Sequence, residues 1–240
     1  MRSSDRGVGR RVVANHELRL FDTVGVVASG DRSRHTPGAM TSSSSPSPDQ
    51  SLHITKRRLL DVGLATLLER GYNATGIQDL LVATSVPKGS FYHHFVSKED
   101  FALQVIDRYL VEVHALLEQS LGDLDRAPLE RVRSFFERLM ALYASQGYLG
   151  SLVGLLGQEL AVNTAFRRRM EGAFDGIARR LAEPLEEARR RGDLPAELDP
   201  VQAANLMIDC WEGAAARSRL LRSAAPLEAA IEVSFRTVLA

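Results

Sequence analysis

From residue 53 onward, apolar residues recur every three or four positions, and this period continues almost to the end of the chain. In "TKRRLLDVGLATLLERG" it places four leucines on one face, Leu60, Leu64, Leu67 and Leu68, and Gly71 ends the run. No stretch rich in Val, Ile and Thr alternates with the two-residue period of a half-buried strand. The sequence therefore predicts an all-α fold of about nine helices.

Capping residues and prolines divide this helical region. Thr75 with Gln78, and Ser97 with Asp100, have the spacing of a capping box, which satisfies free N–H groups at a helix start. Further helix starts are predicted at Pro128, at Asp199–Pro200 and at Pro226. Pro184 lies inside a predicted helix and should kink it unless local packing absorbs the lost hydrogen bond.

Residues 1–52 differ from the rest of the chain. The stretch "DRSRHTPGAMTSSSSPSPDQS" is rich in Ser and Pro and has almost nothing to bury, which predicts disorder. Met40 heads the serine run and is a suitable start residue, so we expect residues 1–39 to be a mis-assigned extension or a floppy arm. The alternative is a basic arm that enters a DNA groove.

The composition limits the partners and the compartment. The 240 residues carry 30 basic and 30 acidic side chains, so only a local patch could attract nucleic acid or anionic lipid. Cys210 is the single cysteine, which excludes an internal disulfide and fits a reducing cytosol. No apolar run approaches the roughly 18 residues of a membrane span, and no signal peptide precedes the first helix. We expect a soluble protein of the cytoplasm.

The stretch "SVPKGSFYHHFVSKE" mixes aromatic and basic residues more tightly than any other. Two short predicted helices, 76–84 and 87–94, are separated by a turn of about three residues, which is helix-turn-helix spacing. A helix of two turns cannot stand alone, so Val86, Phe91 and Phe95 should anchor it. Small, basic and hydrogen-bonding side chains then face outward, as suits phosphates and base edges.

Each outward residue has an expected role at a DNA duplex. Lys88 and Ser90, at the start of the short helix, are candidates for base contact, and Gly89 allows close approach. Tyr92 and the adjacent histidines can reach phosphate, sugar or a thymine methyl group, whereas Lys98 pairs with a phosphate at a helix N-terminus. The predicted DNA contacts are Lys56, Arg57, Thr75, Lys88, Gly89, Ser90, Tyr92, His93, His94 and Lys98. Residues 53–98 contain six Lys or Arg against three acids, so the neutral total hides a basic end.

Other readings of the same stretch fit less well. Adjacent histidines on a helix cannot face one metal ion, and no Cys, Asp or Glu lies at ligand spacing, so no metal site is predicted. The chain has no G-x-S-x-G or H-E-x-x-H pattern, so no enzyme chemistry and no cofactor are predicted. A purely structural role accounts for Phe91 and Phe95 but not for Lys88, Ser90 or His93.

The segment "GIQDLLVATSVPKGSFYHHFVSKEDF" closely resembles the DNA-binding head of tetracycline-repressor-type (TetR) transcriptional regulators. The resemblance covers about 45 residues and implies a C-terminal helical domain that dimerises and binds a small molecule. It implies a DNA-binding head at 53–98 and a ligand-binding and dimerisation domain at 99–240. Ser85 is a departure, since glycine is common there and serine tolerates a left-handed turn poorly.

Residues 150–161, "GSLVGLLGQELA", resemble a subgroup whose sixth helix reads like "GCPIGSLGQELA". Some members of that subgroup sense acrylate-like or electrophilic compounds, and a cysteine in this segment is the usual sensor of electrophiles. Ser151 stands in this region instead, which argues against a thiol switch there. Cys210, on another helix, is interpreted as a core residue.

Two further sets of residues are predicted in the C-terminal half. The expected effector pocket consists of Phe136, Met140, Tyr143, Ser151, Gln158, Phe174, Ile177, Met207 and Trp211. Because no basic residue is clearly among them, we expect a neutral or weakly polar effector. The expected dimer interface consists of Gly213, Ala216, Leu220, Leu227, Ile231, Phe235 and Val238.

The predicted function is a dimeric, ligand-responsive transcriptional regulator, most simply a repressor that a small molecule releases from a palindromic operator. An activator or a ligand-independent DNA-binding protein would share the same head. An all-helical enzyme or small-molecule carrier is a more remote alternative, and it predicts no salt-dependent affinity for DNA.

Overall fold

A computed structural model describes residues 48–238 of the chain. The predictions of disorder for the N-terminal extension and of a start at Met40 fall on residues outside this range, apart from positions 48–52. The first helix already begins at Pro48, five residues before the predicted boundary at 53. Proline is well suited to a first helical turn, since its fixed φ is helical and the turn needs no N–H donor there.

Nine α-helices and a short terminal π-helical turn account for the regular structure of residues 48–238, which contain no strand. The helices are α1 Pro48–Arg70, α2 Ile77–Thr84, α3 Lys88–His94, α4 Lys98–Leu121, α5 Pro128–Ser145, α6 Leu152–Leu160, α7 Thr164–Arg191, α8 Pro200–Leu221 and α9 Ala225–Val233, and the π-helical turn is Ser234–Val238. The all-α prediction is confirmed.

The predicted helix starts at Ser97 and Asp199 are correct, but the one at Thr75 is wrong. Ser97 Oγ accepts a hydrogen bond from Asp100 N–H at 3.1 Å, and Asp199 Oδ1 accepts from two N–H groups of α8. At α2 the cap is Gly76, whose N–H donates to Asp79 Oδ2 at 3.3 Å. The Thr75 hydroxyl instead donates to the Gly71 carbonyl at 2.7 Å.

Helix α7 runs without a break through Pro184, so the proline does not end it. Pro184 is buried, and α7 packs along α4, α5 and α8. The packing of this helix against its neighbours compensates for the hydrogen bond that the proline cannot donate.

Three phenylalanine rings hold the short helix α3 in place. Phe91 from α3, Phe95 at the C-cap of α3 and Phe101 from α4 are almost fully buried, and their ring centroids lie 5.0–5.4 Å apart. Such offset and edge-on contacts stabilise aromatic clusters beyond the area they bury. The prediction that Phe91 and Phe95 anchor α3 is therefore confirmed.

Helix α1 passes very close to this cluster at Gly63. A Cβ atom placed on Gly63 would lie 2.3 Å from Phe101 Cζ and 3.0 Å from Val105 Cγ2. Both neighbours are fully buried and cannot swing into solvent. Glycine at this position therefore sets the distance between α1 and α4.

We predict that Gly63→Ala destabilises the fold although alanine is the better helix former. Overpacking the buried ring should lower the free energy of unfolding by about 1–3 kcal/mol. The control is Gly172→Ala in α7, where no atom lies within 4 Å of the added methyl group, and it should gain up to about 1 kcal/mol. Chemical denaturation measures both variants. Equal stabilisation by the two substitutions would show that α1 and α4 do not meet as described.

Candidate functional site

The turn between α2 and α3 takes a left-handed residue at Ser85. Ser85 has φ 53° and ψ 34°, and its N–H donates back to the carbonyls of Leu81 and Val82. This is the conformation in which glycine often ends a helix, and it costs an ordinary residue roughly 1–2 kcal/mol. Serine thus keeps the turn geometry from which it was expected to depart.

One face of α3 is turned to solvent. Lys88, Gly89, Tyr92 and His93 are exposed, and Ser90 is half-buried. A Cβ on Gly89 would meet no atom within 4 Å, and the Lys88 Nζ lies 6.0 Å from the centroid of the Tyr92 ring. The structure therefore brings five of the predicted DNA contacts together on one small surface.

Two predicted contacts do not belong fully to this surface. Thr75 is buried at 1% exposure, with its hydroxyl bound to a backbone carbonyl, so its prediction as a DNA contact is wrong for this conformation. His94 is half-buried, and its Nε2 atom has no hydrogen-bond partner among residues 48–238. Burial, and then the neighbouring His93, lower the pKa of His94, which favours a neutral imidazole.

Lys98 stands at the first position of α4, over an aromatic ring. Its Nζ lies 4.2 Å from the centroid of the Tyr72 ring, which is a close cation–π contact. Burial, followed by a hydrogen bond with Glu99, raises the pKa of Tyr72 to about 12, so the phenol stays neutral. The ring fixes an ammonium group beside the free N–H groups of the helix start, an arrangement that favours anions.

Lys56 and Arg57 lie on α1 at the other side of the aromatic cluster. Lys56 Nζ is 5.9 Å from the centroid of Phe95, and the exposed Arg57 side chain reaches Asp61 at 3.8 Å. Both cations are thus on the same end of the molecule as α3.

Arg219, on α8, caps the C-terminal end of α1. Its guanidinium donates to the Leu68 carbonyl at 2.5 Å, to the Glu69 carbonyl at 3.0 Å and to the Leu149 carbonyl at 2.8 Å. The last carbonyls of a helix lack intrahelical partners and carry partial negative charge, so a cation is favourable there. One side chain therefore joins α8, the end of α1 and the loop before α6.

Glu159, on α6, holds the next turn of the chain. Its carboxylate accepts hydrogen bonds from the N–H groups of Tyr72 and Asn73, the latter at 3.0 Å. Gly71 makes this approach possible, because it has φ +81° and a Cβ there would lie 2.7 Å from Glu159 Oε1. Together, Arg219 and Glu159 form what we term the α1 clamp.

The loop before α6, whose Leu149 carbonyl binds Arg219, continues into the interior of the molecule. Arg222 donates to the Gly147 carbonyl at 3.1 Å, and Gly150, at φ +78°, lies against the Ala215 carbonyl of α8. The next residue, Ser151, is the N-cap of α6 and accepts from Gly154 N–H at 3.2 Å. Ser151 also lines a cavity between α4, α5, α6, α7 and α8.

The cavity measures about 460 Å³ with its open mouth included, and most of its wall is apolar. It contains six of the nine residues predicted for the effector pocket, namely Phe136, Tyr143, Ser151, Phe174, Ile177 and Trp211. The ring centroids of Phe136 and Tyr143 lie 5.2 and 5.8 Å from that of Trp211. The structure thus assembles the aromatic part of the predicted pocket.

Three predicted pocket residues lie elsewhere. Gln158 is exposed, because it falls on the outward side of α6, and the half-buried Met140 is not part of the cavity wall. Met207 lines a smaller cavity of about 170 Å³ on the far side of Phe136 and Trp211. Helical spacing predicted their helices correctly but not which neighbour each side chain meets.

One acidic group in this wall was not predicted from the sequence. Glu212 lies beside Trp211 in the cavity, and its Oε2 atom is out of contact with solvent and has no hydrogen-bond donor within residues 48–238. Burial raises the pKa of Glu212 to about 7, and the Ser151 hydroxyl partly offsets this effect. Its position next to Trp211, a predicted pocket residue, could have indicated that Glu212 lines the cavity, because adjacent residues on a wide buried helix face can line the same cavity wall.

Two tyrosines on the opposite wall satisfy each other. The hydroxyls of Tyr109 and Tyr143 are 3.1 Å apart, and both side chains are almost fully buried. Burial raises the pKa of each phenol above its ordinary value, so both remain neutral. Tyr143 was among the residues predicted for the pocket, whereas Tyr109, on α4, was not.

The predicted dimer residues fall into two groups. Gly213, Ala216 and Leu220 of α8 are exposed, and Leu220 is 83% accessible. Leu227 and Ile231 of α9 are buried inside the protomer against α8, so their prediction as partner contacts is wrong for this conformation. The remaining two predicted residues are Phe235, half-buried beneath the Arg133 guanidinium, and Val238, whose side chain lies outside the described part of the chain.

Several other features bear on function. Cys210 is a free, half-buried thiol. No helix between residues 48 and 238 is long and apolar enough to cross a bilayer. The same residues hold no group of three metal-ligating side chains.

Comparison with known proteins gives consistent matches. Residues 59–105 match the family described as bacterial regulatory proteins of the tetR family, and residues 128–233 match the tetracyclin repressor-like C-terminal domain. The transcriptional regulator AcuR of Cereibacter sphaeroides is 40% identical over 175 residues, or 72% of this chain and 79% of AcuR. The transcriptional repressor NemR of Escherichia coli is 30% identical over 181 residues, or 75% of this chain and 91% of NemR.

Solved structures agree with the sequence matches. A regulatory protein TetR from Rhodobacter sphaeroides superposes with a TM-score of 0.73 at 37% identity, covering 76% of this chain and 98% of that one. The reduced form of E. coli NemR gives a TM-score of 0.68 at 28% identity, covering 78% and 98%. The chain is a member of the TetR family of transcriptional regulators, which are not enzymes.

Proposed function

We propose that the protein is a homodimeric repressor that binds a palindromic operator and leaves it when a small molecule fills the cavity. The observation that carries the proposal is the solvent-facing basic and polar face of α3, held rigidly by Phe91, Phe95 and Phe101. Two similar relatives, DhaR and NemR, are named as transcriptional repressors. The proposed head comprises residues 53–98, and residues 99–240 form the ligand-binding and dimerisation domain.

The two lysines of the head have different proposed tasks. Lys88 begins α3, whose N-terminal residues point at base edges when such a helix lies in the major groove. Lys98 is fixed on Tyr72 at the start of α4 and is suited to a phosphate. Base readout and backbone attachment are thus assigned to separate side chains.

The proposed dimer surface is the outer stripe of α8. Leu206, Gly213 and Leu220 recur at seven-residue intervals, all are exposed, and Ala216 lies between the last two. A stripe of this period matches the seam along which two helices pack at a shallow angle, and small residues let the helices approach closely. A twofold axis here would present two copies of α3 to one side of a DNA duplex.

The α1 clamp is the proposed connection between cavity and head. Ser151 and Glu212 line the cavity, and Arg219 follows Glu212 by two helical turns on α8. A ligand that shifts α6 or α8 must move the groups that hold the end of α1. For a sharp switch, the ligand must favour the released conformation by a few kcal/mol.

Alanine substitutions should distinguish the roles of Lys88 and Lys98 in DNA binding. Lys98→Ala should weaken binding to all sequences to a similar degree, because a phosphate contact carries no base information. Lys88→Ala should also relax preference at one operator position, where discrimination falls by about 1–3 kcal/mol. Binding is measured by fluorescence anisotropy on a panel of single-base operator mutants, with Arg168→Ala, exposed on α7, as the control. Uniform losses for both lysine variants would refute this division of roles.

The second prediction concerns the α8 stripe. Leu220→Asp should yield a monomer, because it buries an unpaired charge in the seam. The matched control is Val162→Asp, which replaces another exposed apolar residue, 92% accessible, away from α8. Light scattering gives the mass of each variant. A dimeric Leu220→Asp variant would locate the interface elsewhere.

The third prediction tests the α1 clamp. Arg219→Ala leaves the carbonyls of Leu68 and Glu69 without their cation, and a hydrogen bond to a charged group is worth about 1.5–3 kcal/mol. Amide exchange should therefore accelerate at the end of α1 and in α2–α3, while α9 is unaffected. Arg217→Ala, at an exposed position on the same helix, serves as the control. Unchanged protection of the head in Arg219→Ala would mean that the clamp does not hold it.

A further inference from the structure

The Glu212 carboxyl lies in the cavity wall without a cation to balance it. Fifteen residues line the cavity, and none is a lysine, arginine or histidine. No cation is among the groups within residues 48–238 that shift the pKa of Glu212, and its Oε2 atom lacks a hydrogen-bond donor there. A buried carboxyl group in this state costs free energy, so an apolar side chain of similar size would stabilise the fold better.

The fold nevertheless makes room for this carboxyl. A Cβ atom on Gly154 would lie 2.7 Å from Glu212 Oε2, so any larger residue at this point of α6 would force the carboxyl group to shift. The Ser151 hydroxyl, at the N-terminus of the same helix, also favours the ionised form. Gly154 of α6 and Ser151, the N-cap of that helix, thus both lie beside this acidic group.

The rest of the wall suits the body of an organic cation. Phe136 and Tyr143 pack around Trp211, with ring centroids within 5.8 Å of the indole, and Phe174 completes the aromatic lining. Aromatic faces attract cations, most strongly where water is excluded.

We propose that the effector is a small apolar amine, whose ammonium group binds Glu212 while its body packs among the aromatic rings. The role of the amine as an effector rests on the proposed function, whereas its binding to the cavity does not depend on DNA. A carboxylate or phosphate ligand is disfavoured because it would meet a like charge and no basic side chain. The expectation of a neutral effector is thereby replaced.

The proposed pairing has a defined pH dependence. Burial holds the pKa of Glu212 at about 7, so the carboxyl is mainly protonated at lower pH and must lose its proton to pair with a cation. The groups that face it are Tyr109 from α4, Tyr143 from α5 and Ser151 from α6, with Asp209 on its own helix, while α7 contributes only apolar side chains. Neither phenol titrates near neutral pH, so amine binding should strengthen as pH rises through about 7.

Trp211 is the only tryptophan in the chain, so its fluorescence reports on the cavity without DNA. The probes are 2-phenylethylamine, 2-phenylethanol and 3-phenylpropanoate, which share a body and carry a cationic, a neutral or an anionic head group. We expect the amine to bind about tenfold or more tightly than the alcohol at pH 8, and the carboxylate most weakly. A preference for the carboxylate, equal affinities, or no response to any probe would overturn the proposal.

Two variants separate charge from shape. Glu212→Gln keeps the size of the side chain, so amine affinity should fall about tenfold and lose its pH dependence, while alcohol affinity changes little. Glu171→Gln, exposed on α7, is the matched control and should behave as the unaltered protein. An amine that binds Glu212→Gln as tightly as the unaltered protein would exclude Glu212 as its partner.

A separate titration with operator DNA distinguishes the two levels of the proposal. Amine binding that leaves the DNA complex intact would keep the site and contradict only its role in release. DNA release by another compound, without amine binding at Trp211, would keep the repressor and contradict the ligand class.

Discussion

A helix of seven residues cannot hold its own shape in water, and the structure of the head follows from this constraint. Helix α3 is short enough to enter a groove. Because a helix of this length is not stable alone, contacts with the rest of the protein must stabilise its conformation. Phe91 and Phe95 supply these contacts by packing against Phe101, and Gly63 lets α1 close over the same rings. The inward side of α3 is therefore aromatic and fixed, which leaves its outward side free to carry lysine, glycine and polar residues.

The end of α1 is one of the places where the proposed head meets the rest of the protein. Its final carbonyls bind Arg219 from α8, and the chain immediately beyond it binds Glu159 from α6. The same two helices place Ser151 and Glu212 in the cavity wall. The cavity and the α3 face thus share structural supports rather than a direct contact, which is how the proposed coupling between ligand and DNA would operate. In the proposed complex, Glu212 gives the ligand an electrostatic contact at the cavity end.

Periodicity and capping patterns were sufficient to predict the helices, the aromatic anchor of α3 and its exposed face. They failed where two residues fit the same capping pattern, and where packing against another helix decides whether a side chain is buried. Both Thr75–Gln78 and Gly76–Asp79 have the spacing of a helix cap and its third residue, and only packing shows that Thr75 is buried. The same limit applies to Leu227, whose apolar face is covered by its own protomer. Glu212 was missed because an acidic residue is ordinarily assigned to a solvent-facing position.

The central claim is that the α3 face reads DNA sequence. The direct measurement is fluorescence anisotropy of the full chain on a duplex from immediately upstream of its own gene, against a scrambled duplex of equal length, at several salt concentrations. The account predicts tighter binding to the upstream duplex, with affinities that fall linearly on a logarithmic scale as salt rises, because phosphate contacts release counterions. Equal affinity for the two duplexes at every salt concentration, or affinity independent of salt, would contradict it.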